Sequence, residues 1–131
     1  MYNVRLNADS VEWLPLDFPG SSLRMLYSDP ATGATTILIR MTPGAVIPAH
    51  SHSKADEVLY VLEGDFIEAG RTSGPGTFYA AKARVPHGPH TTVRGCTVLL
   101  ALSAELDVIL AEPDALEHPE GRPARAAARG N

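Results

Sequence analysis

From Val11 to Leu110 the apolar residues arrive in short runs that Gly, Pro and Asp keep interrupting, and no stretch sustains the 3.6-residue period of a buried helix. Thr35 to Met41 shows the alternative best. Ile37, Ile39 and Met41 fall on one face and Thr36 and Arg40 on the other, with Leu38 breaking the alternation. Leu23 to Tyr27, Glu57 to Leu62, Phe66 to Ala69, Gly76 to Ala80, Cys96 to Leu102 and Leu106 to Leu110 read as further strands. Asp29-Pro30-Ala31-Thr32-Gly33 and Pro43-Gly44 read as turns, and Gly64-Asp65 as the turn of a hairpin. Turns at this spacing imply an all-β sandwich or barrel.

The 131 residues suffice for one domain with a core of its own, and residues 1–111 are assigned to it. Residues 112–131 differ. Ala, Pro, Arg and Glu dominate there and Leu116 is the last large apolar residue. Such a segment buries too little to offset the entropy of ordering it, so it is expected to be disordered or to form a short helix. A net charge of -4 with scattered Lys and Arg offers no basic face for nucleic acid. Cys96 is the single cysteine, so no internal disulfide forms, and it reads as a small buried hydrophobe. Met1 to Arg5 lacks the pattern of a signal peptide, and no apolar run is long enough to cross a bilayer. The expected location is cytoplasmic.

Four of the five histidines, His50, His52, His87 and His90, lie in the middle of the chain. In extended backbone, residues two apart share a side, so His50 and His52 can aim at one point. Glu57, at the head of the next apolar run, can swing its carboxylate there, and His87 arrives within Arg84-Val85-Pro86-His87-Gly88-Pro89-His90. Neutral imidazoles with a carboxylate suit one divalent transition metal ion, with Fe(II) favoured and Mn, Ni, Cu or Zn as alternatives. Four protein ligands on a six-coordinate ion leave two positions for substrate or dioxygen. His90 is expected to face water; its other roles are replacement of His87 as ligand, support from behind the ligands, or acid–base chemistry, for which it is the candidate catalytic residue. Asp56, Glu63 and Glu68 read as surface residues.

Gly44, five residues, His50, one residue, His52, four residues, Glu57, six residues and Gly64 together resemble the first motif of the cupin family. Gly76 and His87 fall where the second motif has its glycine and its third histidine, while Lys82, Arg84 and Thr91 stand where that motif usually has Pro, Gly and Asn. The resemblance covers Leu23 to Leu110. It implies a single-domain cupin β-barrel of jelly-roll form, with His50, His52, Glu57 and His87 as metal ligands, and it implies a homodimer. Pro86 to Thr91, followed by Gly95-Cys96, is similar to the acetylacetone and dihydroxyacetophenone dioxygenases and to the cupin half of a zinc-binding anti-sigma factor.

Parity places a pocket beside these ligands. If Glu57 faces inward, so do Leu59 and Val61, and Ile37, Ile39 and Met41 are expected on the same lining together with Phe66 and Phe78. An apolar pocket with a metal at its floor suits a small-molecule substrate. The expected function is a metal-dependent dioxygenase of a small diketone, hydroxyketone or phenolic compound. The alternatives are a zinc-binding sensor or ligand-binding module and a non-oxidative isomerase or lyase, for which Tyr60 and Tyr79 are further acid–base candidates. Neither nucleic acid nor membrane is expected as a partner.

Overall fold

The structure, a computed structural model, describes residues 1–111; the expectation for residues 112–131 lies outside the described residues. Twelve strands follow one another among the described residues, and the one helical element there is a three-residue 3-10 turn, Ala8–Ser10. The strands are β1 (Leu14–Pro15), β2 (Ser21–Ser28), β3 (Thr35–Met41), β4 (Val46–Ile47), β5 (His50–Ser51), β6 (Glu57–Gly64), β7 (Phe66–Glu68), β8 (Arg71–Ser73), β9 (Phe78–Ala81), β10 (His90–Thr91), β11 (Cys96–Leu102) and β12 (Ile109–Leu110). They pair antiparallel in a six-stranded sheet, β1-β2-β3-β11-β6-β9, a four-stranded sheet, β4-β10-β7-β8, and a ribbon of β12 with β5. The result is the jelly-roll β-barrel that the sequence implies. No helix among the described residues is long and apolar enough to cross a membrane.

Alternation decides what the barrel buries. Along β6, Glu57, Leu59 and Val61 are buried while Val58, Tyr60 and Leu62 are exposed. Along β11, Cys96, Val98, Leu100 and Leu102 point inward. Register joins them in rows: Ile37 pairs with Leu100 and Leu100 with Leu59, and Ile39 pairs with Val98 and Val98 with Val61. Ile37, Met41, Val61 and Val98 have essentially no exposed surface, and burying each stabilises the fold by about 1.5–3 kcal/mol. Leu38 breaks the pattern because the outer face has a cover of its own. It pairs with Arg24 and lies two residues from Arg40, and the two guanidiniums sit 4.4 and 4.3 Å from the centre of the Trp13 ring.

Gly64-Asp65 does not turn a hairpin. β6 pairs with β11 and β9 whereas β7 pairs with β8 and β10, so the chain crosses from one sheet to the other at this point. Gly64 has φ +84°, and a Cβ there would run into the Gly95 carbonyl and come within 2.6 Å of Cys96 Cα. The buried Asp65 carboxylate then fastens the next loop, accepting from Thr92 Oγ1 at 3.0 Å, Val93 N at 2.8 Å and Arg94 N at 2.9 Å. These hydrogen bonds hold its carboxyl below the usual carboxylate range.

Candidate metal centre

Two backbone contacts bring distant histidines together. His50 and His87 exchange N–H···O bonds of 2.9 and 2.8 Å, which pins the 82–90 loop against β5. Arg84 N–H donates to the His52 carbonyl at 2.7 Å and so secures the same loop two residues further along. Arg84 has φ +69°, in the left-handed region. A glycine at this place carries no penalty for that backbone, and the arginine stores about 1 kcal/mol of strain. Glu57 enters from β6 on the inward face it shares with Leu59.

The four side chains picked out in the sequence converge. Ring centres of His50 and His52 are 5.0 Å apart, those of His50 and His87 4.6 Å, and those of His52 and His87 5.1 Å. Glu57 Oε1 lies 2.8 Å from His52 Nε2 and 3.6 Å from His87 Nε2. Two overlapping trios, His52–Glu57–His87 and His50–His87–His90, each hold their donor atoms within 4.8 Å of one another. The chain therefore carries a His/Glu cluster able to hold a metal ion.

Hydrogen bonds fix the protons in this cluster. His50 Nδ1–H donates to the Pro48 carbonyl at 2.7 Å, leaving Nε2 with its lone pair. Burial, reinforced by the neighbouring imidazoles, lowers the His50 pKa to about 4, so the ring is neutral and ready to ligate at pH 7. His52 differs. Its Nδ1 lies 2.6 Å from the Asp107 carbonyl and its Nε2 2.8 Å from the Glu57 carboxylate, two acceptors that favour a proton on each ring nitrogen. Burial alone would lower His52, but the hydrogen bonds to Glu57 and Asp107 outweigh it and raise its pKa. Burial likewise opposes ionisation of Glu57, yet the His52 hydrogen bond and the nearby imidazoles hold its pKa below the usual carboxylate range. An ion held by His52 Nε2 would take the place of a proton there, and its uptake would release that proton.

His87 supplies the test of fit. It is largely buried, burial lowers its pKa, and neither ring nitrogen has a hydrogen-bond partner. A buried polar group left so costs about 1–3 kcal/mol, and a cation at the meeting point of these donors would give one of the two nitrogens its partner. The borderline nitrogen and carboxylate donors match a divalent transition ion.

Beside the cluster lies a cavity of about 70 Å³, walled by apolar side chains, with His50, His52, Glu57 and His90 among its lining. Of the residues expected there, Ile37, Ile39, Met41, Leu59 and Phe66 line it, while Val61 is fully buried in the core without reaching it. Phe78 does not face this cavity. It is 60% exposed because register pairs it with outward-facing Tyr60, whereas Tyr79 pairs with inward Leu59 and packs against the core. Phe18 completes the wall from a segment with no strand alternation to announce it, and Leu106 and Val108 from the last run that the sequence reads as a strand.

Two sequence-based expectations are corrected by the polar surroundings. His90 does not face water: it is 7% exposed, its ring stacks 4.9 Å from Phe66, and its Nδ1 lies 3.0 Å from Glu68 Oε1. Glu68 is accordingly half-buried rather than a surface residue. Its parity with Phe66 was the signal available in the sequence. Asp107 was missed, although its carbonyl orients His52 and its carboxylate accepts from Ser53 N at 2.8 Å and from Ser53 Oγ. It lies 55 residues from His52, and no spacing rule connects the two. Cys96 is buried and its thiol is pushed up to about 11, the state of an unreactive core residue.

Residues 2–104 match the family model of the ChrR Cupin-like domain. A search of curated protein sequences found no match. Among solved structures, the chain is similar to the polyketide cyclase RemF from Streptomyces resistomycificus, with a TM-score of 0.68 and 21% identity over 96% of this chain and 98% of that one. It is similar to a putative acetylacetone dioxygenase from Methylibium petroleiphilum, with a TM-score of 0.69 and 18% identity over 87% of this chain and 84% of that one. It is also similar to a chain in the complex of Rhodobacter sphaeroides SigE with the anti-sigma ChrR, with a TM-score of 0.60 and 24% identity over 72% of this chain and 51% of that one. At these identities the likeness is one of fold.

Proposed function

The chain belongs to the ChrR cupin-like family, and from that premise we propose that it is a metal-dependent dioxygenase acting on a small diketone, hydroxyketone or phenolic compound. The observation that carries this reading is the opening of a His/Glu cluster onto a small apolar cavity. His50, His52, Glu57 and His87 hold the ion, with Fe(II) favoured. When bound, it stabilises the enolate or phenolate form of a chelating substrate and exchanges electrons with dioxygen. Ile37, Ile39 and Leu59 keep water from the cavity and present a flat, carbon-rich substrate edge-on to the donors. The Pro48 and Asp107 carbonyls hold His50 and His52 in one tautomer and one orientation. The likeness to an acetylacetone dioxygenase supports the choice of substrate class.

Iron-loaded protein is expected to consume dioxygen with at least one member of a panel of β-diketones, hydroxyketones and catechol-like phenols, as read by an oxygen electrode. Metal-replete protein that consumes none would overturn the oxidative reading, and turnover under strict anaerobiosis would point to the isomerase or lyase class. The family match favours a second reading, a zinc-loaded sensor or binding module. Stoichiometric zinc in the protein as isolated, without turnover, would establish it.

The homodimer belongs to the same proposal. Tyr60 and Phe78 stand side by side across β6 and β9 on the outer face of the large sheet, next to half-buried Leu99 of β11, and Val58 and Leu62 on β6 are exposed with them. A second copy of the same face is the fitting occupant, since a two-fold contact buries it against itself. Light scattering is expected to report twice the 13.9 kDa chain mass. The double variant Tyr60→Lys, Phe78→Asp should be monomeric with its metal content unchanged; a monomeric parent protein would refute the proposal.

A further inference from the structure

The protein dresses His90 as it dresses the histidines beside it. His50 and His52 each turn Nδ1 back onto a carbonyl, at 2.7 and 2.6 Å, and keep Nε2 toward the cluster. His90 brings its Nδ1 to within 3.0 Å of Glu68 Oε1, and these two buried atoms, which make no hydrogen bond elsewhere and are not aligned for one with each other, face one another as an imidazole and a carboxylate. Glu68 is itself held: its Oε2 accepts the Gly88 N–H at 3.1 Å, and the β7–β10 register sets it opposite His90. A carboxylate behind an imidazole fixes the tautomer and strengthens the other nitrogen as a donor, which is the usual setting of a metal-bound histidine.

Position agrees with dressing. The His90 ring centre lies 5.5 Å from that of His50 and 5.6 Å from that of His87. Its donor atom falls with theirs inside a 4.8 Å span, as do those of His52, Glu57 and His87. Donors on opposite sides of an ion with bonds near 2.1 Å stand about 4 Å apart, so either trio is about one coordination sphere wide. We propose that His90 is a fourth imidazole donor of the metal centre, positioned there by Glu68. The inference rests on the metal-binding reading above and refines its donor count: with Glu57 and all the imidazoles bound, a six-coordinate ion keeps one open position, so a chelating substrate would displace one protein donor.

The full chain carrying ¹⁵N-labelled histidine and a His118→Ala change, which removes the one other imidazole, is loaded with Zn(II) and its ring nitrogens are read by NMR. Four nitrogens shifted to metal-bound positions are expected. Three would overturn this inference and leave the metal reading intact; none would overturn both. His90→Gln, which keeps a donor for Glu68, is expected to weaken zinc binding by more than the roughly 100-fold that changes behind a ligand produce, read in competition with a chelator. Glu68→Gln should cost about tenfold while all four nitrogens stay shifted. Unchanged affinity in His90→Gln would refute ligation, and unchanged affinity in Glu68→Gln would refute the positioning role. Should His90→Gln fail to fold, the nitrogen count still decides.

Discussion

Replacing His52 by Ala is expected to cost the protein its metal and to weaken the metal-free fold as well. The variant removes one donor, and the loss of affinity should exceed the roughly 100-fold that changes behind a ligand produce. It also leaves Glu57 without the imidazole that now lies 2.8 Å from its carboxylate, in a place where both side chains are almost wholly buried. An uncompensated carboxylate so placed costs about 3 kcal/mol. Two measurements separate these effects. Elemental analysis should show near-stoichiometric metal in the parent protein and little in the variant. Added metal at about 1,000 times its dissociation constant should stabilise the parent by about 4 kcal/mol and leave the variant's melting temperature where it was. A variant that retains its metal and melts with the parent would mean that the cluster is not the ion's site. His52→Gln, which keeps a donor for Glu57, should lose the metal while sparing much of the stability.

The second large effect is on pH. The metal-free protein should lose about 3 kcal/mol of stability as pH falls from 6.5 to 4. His50 is the source: burial lowers its pKa from the ordinary 6.5 to about 4, so the unfolded chain takes up a proton across that window before the folded one does. Burial of His87 lowers its pKa too and adds in the same direction. His52 has the opposite sign, since its pKa is raised. Its contribution is complete below 6.5 and declines only as pH rises through its folded value, so it does not flatten the acid slope. Glu57 and Glu68, both lowered, lose their contribution only as pH falls below the ordinary carboxylate range. Urea unfolding of chelator-treated protein at pH 7, 5.5 and 4.5 measures the slope. A flat profile, or a His50→Gln variant as steep as its parent, would show that the buried neutral imidazole is not responsible.

Both effects depend on residues that the sequence singles out, and the reason is local. Strand β11 is legible to the residue because alternation continues unbroken between turn signals, and strand β3 because Leu38 alone interrupts it. The histidine pair is legible because two residues apart on extended chain means one side. Glu57 is legible because Leu59 and Val61 continue its parity into a buried face. Where legibility stops, a partner strand intervenes. Phe78 and Tyr79 are both aromatic and adjacent, and only the pairing of Tyr79 with Leu59 decides which one turns inward. Glu68 and His90 are each unremarkable polar residues in sequence; they become a pair because β7 and β10 are neighbours in register.

The sequence by itself determined the strand-forming runs, the all-β class and the donor types, since side-chain alternation and ligand chemistry are properties of a few consecutive residues. The tertiary structure alone decided that Gly64-Asp65 is a crossing between sheets, that Asp107 orients His52 and that His90 joins the cluster. Each of those depends on which strands lie side by side, and strand pairing is fixed by the packing of the whole barrel, not by any segment within it.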